Sequence, residues 1–181
     1  MNKGKVLLLE GFQNDFLMAS PHLHTNILKK INEVLIPLFQ KGWTILYAVC
    51  FNISSSNYSA TPRKHNICVL GSYGAHLSSC LFVPSIQEDK NHQCFYVPYA
   101  LDHQETSNNI FFHSANNKDP TFLKSILTDK NCSQFVLCGL HEKVLQETLQ
   151  TAKNDLNIEN IQCVLISHEN DVNLLATLTD F

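Results

Sequence analysis

Several side chains at the ends of apolar runs are of the types that do acid–base or thiol chemistry. In VLLLEGFQNDF, residues 6–16, four apolar residues lead into Glu10, Gly11 and a polar turn. In FVLCGLHEKV, residues 135–144, an apolar run ends in Cys138, with Gly139, His141 and Lys143 following at once. A carboxylate can take up a proton and a thiol can attack a carbonyl carbon. A nearby imidazole or ammonium group favours the thiolate. Cys68 is a further thiol of the same kind. Spacing along the chain does not fix the distances among these groups.

The elements that must position them alternate regularly. Val6–Leu9 reads as a strand. Asn26–Gln40 reads as a helix, because Ile27, Leu28, Ile31, Val34, Leu35 and Leu38 recur at the spacing of one helical face. Thr25 caps it, Gly42 stops it, and Pro37 should kink it or displace its last turn. Trp43–Cys50 is a second strand, and the polar stretch from Asn52 to Asn66 a long loop. Short strands are expected at Cys94–Val97 and Ile110–Phe112, and a helical segment at Thr121–Leu127. Then come a buried strand at Phe135–Cys138, a helix from Glu142 to Asn154, a strand at Ile161–Ile166 and a terminal helix at Asp171–Leu178. Short, continuously apolar strands alternating with helices imply a mainly parallel sheet covered on both faces, a three-layer α/β/α, Rossmann-like architecture. Right-handed crossovers put the loops that follow the strands on one edge, where a site would lie.

Composition limits the function. At 181 residues the chain is long enough for one domain, 1–181, with a substantial core. A net charge of −3 with no basic stripe argues against nucleic-acid binding. No apolar run approaches the roughly 20 residues a bilayer demands, and the basic start MNKGK precedes a run too short for a signal peptide. A cytoplasmic protein is expected. Its seven cysteines include no CxxC pair and mostly lie in apolar runs, as reduced, buried thiols do.

Three stretches carry a resemblance to the isochorismatase-like cysteine hydrolases, nicotinamidases above all. LLLEGFQNDFL, residues 7–17, is similar to that family's opening strand, an apolar run followed by Asp-x-Gln-x-Asp-Phe. CVLGSYGAHL, residues 68–77, resembles His-Cys-Val-x-Gly-Thr-x-Gly-Ala-x-Leu. FVLCGLHEKVLQETLQTA, residues 135–152, resembles the strand, turn and helix bearing Gly-x-x-Thr-x-x-Cys-Val-x-x-Thr. The resemblance implies an isochorismatase-like hydrolase fold and an Asp-Lys-Cys triad acting on an amide.

The triad positions do not carry those residues. The acid falls on Gly11, the lysine on Phe112 (or Ile110 in an alternative register), and the nucleophile on Leu145. Glu10 occupies a place the family fills with an apolar residue, and neighbouring strand residues face opposite ways. The family's metal ligands fall on Asn52, Ser54 and Ile67, which cannot complete a transition-metal site. No metal or cofactor is expected, and His65 reads as a solvated loop residue. The retained QNDF turn and the Gly71, Gly74 and Ala75 loop have structural work available to them.

The expectation is therefore a chain that is not an enzyme: an isochorismatase-like protein acting as an interaction or scaffold subunit for a protein partner. Homo-oligomer formation is implied by the family. Two alternatives stay open. One is a divergent amide hydrolase with a relocated site, using Glu10 as base, Cys138 or Cys68 as nucleophile, and His141 or Lys143 as cationic partner. The other is a small-ligand sensor using the remnant pocket.

Overall fold

The computed structural model describes residues 4–19, 25–50, 68, 72–83, 94–99, 113–114, 117–118, 124–125, 127–128, 131–155 and 160–179. Among these, strands β1 (Gly4–Glu10), β2 (Thr44–Cys50), β3 (Cys94–Tyr99), β6 (Cys132–Gly139) and β7 (Ile161–Leu165) form one sheet in the order β3-β2-β1-β6-β7. Every neighbouring pair in it is parallel. A small antiparallel pair, β4 (His113–Ser114) and β5 (Asn117–Lys118), forms a second sheet beside β3. The helices are α1 (Asn14–Met18), α2 (Thr25–Gln40), α3 (Glu142–Asp155) and α4 (Glu169–Thr179).

Strand alternation divides the core into two layers. Leu7, Leu9, Val136 and Cys138 join Ile31, Leu35, Leu38 of α2 and Val172, Leu175 of α4 in one cluster. Val6, Leu8, Phe135 and Leu137 join Leu145 and Ala152 of α3 in the other. The expected α/β/α sandwich is thus present. Both faces of β1 and β6 are covered, which is why these strands read as continuous apolar runs.

Local chemistry explains most element ends. Gly42, at φ +84°, lets α2 close with a Schellman pair: Gly42 N–H donates to Phe39 and Trp43 N–H to Leu38. Thr25 is the first residue of α2 rather than its cap. The helix also runs through Pro37 to Gln40, and Lys41 N–H donates to the Pro37 carbonyl at 2.9 Å, so the expected displacement of its last turn does not occur.

The retained QNDF turn holds the 72–78 segment. Gln13 Nε2 donates to Ala75 O, Asn14 Nδ2 to Tyr73 O, and Asp15 Oδ2 accepts from Cys68 N–H at 2.6 Å. Backbone bonds run from Asn14 N–H to His76 O and from Ser78 N–H to Phe12 O. The Asn32 side chain continues the tie, donating to Cys80 O and accepting from Phe82 N–H. The loop expected between 52 and 66 and the strand expected at 110–112 lie outside the described residues.

Candidate functional site

The strand order reverses at the β1/β6 pair: β2 and β3 extend to one side and β7 to the other. In an open parallel sheet the carboxyl ends of the strands at such a reversal open a crevice where ligands bind. Here those ends are Glu10–Gly11 and Gly139–His141, which brings Glu10 and His141, two of the residues named from the sequence, to one edge of the sheet. Glu10 pairs with Gly139, and Leu140 N–H donates to Glu10 O at 3.3 Å.

Gly11 sits where the chain leaves β1, at φ +79°, a conformation side chains disfavour. His141 covers it. A Cβ on Gly11 would lie 3.2 Å from His141 Cδ2 and 3.8 Å from its Nε2. The imidazole therefore fills space that an acid at position 11 would enter. Its ring tilts against Phe16, with centroids 5.1 Å apart. His141 is half-buried, and its Nε2 is shielded and has no hydrogen-bond partner among the described residues. Burial lowers its proton affinity below the ordinary imidazole value, so the ring is neutral near pH 7.

Glu10 lies on the α3 side of the sheet and is 2% exposed. Its Oε2 accepts from Thr148 Oγ1 at 3.2 Å, and Thr148 is fully buried. Leu145, on which the resemblance puts the nucleophile, closes over Gly139: a Cβ there would lie 2.9 Å from Leu145 Cδ1 and 3.6 Å from Glu10 Cβ. Glu10 and Leu145 thus share a layer, as strand alternation requires.

Cys138 is not in that layer. It pairs with Leu9, shares its face, and belongs to the opposite core cluster. Burial, and Cys163 after it, push its thiol far above the usual range. Glu10 and Cys138 are therefore not brought together as base and nucleophile; one strand position separates them and sends them to opposite faces. Cys68 is also buried, with φ +53° and its N–H bound to Asp15. Phe112, Asn52, Ser54, Ile67 and His65 lie outside the described residues, as does the side chain of Lys143. No group of three His, Cys, Asp or Glu side chains suited to a metal ion occurs among the described residues. No helix among them is long and apolar enough to cross a membrane.

Two contacts escaped the sequence reading: Thr148 on Glu10, and Phe16 on His141. Thr148 was findable, since it lies three residues after Leu145 on the same face of a helix that must cover β6.

The sequence matches no family model and no curated protein. Solved structures do match. A pyrazinamidase/nicotinamidase from Streptococcus mutans aligns with a TM-score of 0.61 and 19% identity, covering 98% of both chains. An N-carbamoylsarcosine amidase from Thermoplasma acidophilum aligns at 0.59 and 14%, covering 98% of this chain and 93% of that one. A nicotinamidase from Bacillus subtilis aligns at 0.55 and 18%, covering 90% and 83%. The expectation that the chain is not an enzyme is corrected by these matches, because the structures it resembles over nearly their full length are amide-cleaving enzymes by name. The chain has the isochorismatase-like hydrolase fold.

Proposed function

We propose that the chain is a divergent hydrolase of small amides in which His141 activates water in place of a protein thiolate. The observation that carries this reading is the His141 imidazole over Gly11, at the strand-order reversal, with Nε2 unpartnered among the described residues. A neutral imidazole is the form a general base needs. With its proton on Nδ1, Nε2 takes a proton from water as the water oxygen bonds to the amide carbon. The resulting imidazolium then gives that proton to the leaving nitrogen as the C–N bond breaks, yielding a carboxylic acid and ammonia or an amine.

The start of α3 supplies the complementary charge. Leu145 N–H donates to His141 O at 3.0 Å as an intrahelical bond, so the amides of residues 142–144 precede the helical ladder. Such amides carry the positive end of the helix dipole and suit a developing oxyanion. The substrate class follows the structures of like fold, which are named for nicotinamide, pyrazinamide and N-carbamoylsarcosine. Ammonia release from those three compounds by the purified chain tests the reading. Release that His141→Gln abolishes and Cys138→Ser spares supports it. No release from any of them, or release that survives His141→Gln, overturns it.

A further inference from the structure

We infer that Glu10 and Thr148 form a buried positioning pair that sets the His141 imidazole over Gly11. The pair joins the two elements between which His141 is held. Glu10 is the last residue of β1 and immediately precedes Gly11; Thr148 lies in the second turn of α3, whose first residue follows His141. Their side chains meet at 3.2 Å with almost no exposure on either residue. Between them and His141 the chain is tied at each step. Leu140 N–H donates to Glu10 O, Leu145 N–H donates to His141 O, and Leu145 closes over Gly139 beside Glu10. A shift of α3 along the sheet would therefore carry His141 off Gly11.

A polar pair here is informative because its neighbours are apolar. Val6, Leu8, Leu137, Leu145 and Ala152 fill the same layer. Apolar side chains tolerate sliding, whereas a hydroxyl bonded to a carboxylate selects one register. Glu10 acts through the helix. The inference uses the hydrolase reading only for its catalytic meaning, and its test runs on the free chain without substrate.

The test follows the His141 imidazole resonance through a pH titration of the full chain labelled at histidine, assigned by its loss in His141→Gln. In the unaltered chain, burial should place the midpoint below the ordinary 6.5. Thr148→Val loosens the ring, lessens its burial and moves the midpoint up toward the ordinary 6.5. Thr148→Ser keeps the hydroxyl and the original midpoint. If the valine variant fails to fold, Glu10→Leu combined with Thr148→Val replaces both partners with apolar groups and should show the same upward shift. A folded Thr148→Val chain or folded double variant with the original midpoint overturns the inference. An absence of amide cleavage by the unaltered chain would sink the hydrolase reading and leave this one standing.

Discussion

The His141 imidazole stands over Gly11, 3.2 Å from where a side chain on that glycine would begin. Ring and side chain are alternatives for the same space. Gly11→Ala should cost about 1–3 kcal/mol, from the positive φ and the close contact together. Gly11→Asp should cost more. Because His141→Ala empties the space, the double variant Gly11→Asp with His141→Ala should be less destabilised than the two single changes summed. Urea midpoints for the four chains measure this, and strict additivity would deny the shared space.

Burial of His141 makes stability depend on pH with a definite sign. Its folded proton affinity is lowered from 6.5, so the unfolded chain takes up the proton more readily. Stability is then unaffected by this group above about pH 6.5 and falls as pH drops below it toward the folded value. His141→Gln should flatten that part of the curve. Thermal midpoints of the two chains across pH 5 to 8 read the difference, which should be visible only on the acid side.

The thiols should separate by exposure in a native alkylation experiment. Cys80 is exposed and should react first among the five cysteines whose side chains are described. Burial pushes the Cys132 thiol up to about 11 and raises Cys163 too, where the Glu10 charge adds to the effect and Lys153 opposes it. Both should lag. Cys138 should be modified only after unfolding. Peptide mass analysis over time gives the order.

Asp15 anchors Cys68 through its backbone N–H at 2.6 Å. Asp15→Ala leaves that donor without its carboxylate and should destabilise the chain by about 1–3 kcal/mol. It should also hasten alkylation of Cys68, which is fully buried when the tie is intact. An unchanged Cys68 rate in a folded variant would show that the tie does not hold this segment.

Much of the fold could be read from the chain because β1 and β6 are buried on both faces, so their centres appear as unbroken apolar runs. Their ends could not. Gly4 and Lys5, and Cys132 to Gln134, are partly exposed and polar or small, and extend the strands beyond what hydropathy marks. Helix α1 is five residues long, too short to show a period. At the site, Gly11 and Leu145 were legible as letters. That Cys138 faces away from Glu10 depends on the pairing of Leu9 with Cys138 across two strands, a register set by the sheet rather than by either segment. That His141 covers Gly11 depends on a turn geometry no local pattern encodes. The expectation of a chain that is not an enzyme rested on letters at three positions, and the amide-cleaving enzymes of like fold correct it.

The pH dependence of kcat/KM for amide hydrolysis tests the account most directly. With His141 as base, the rate should rise through a midpoint below 6.5, hold level to alkaline pH, resist thiol alkylation, and disappear in His141→Gln. A rate that instead tracks a thiol titration, falls on alkylation, or persists without His141 would contradict it.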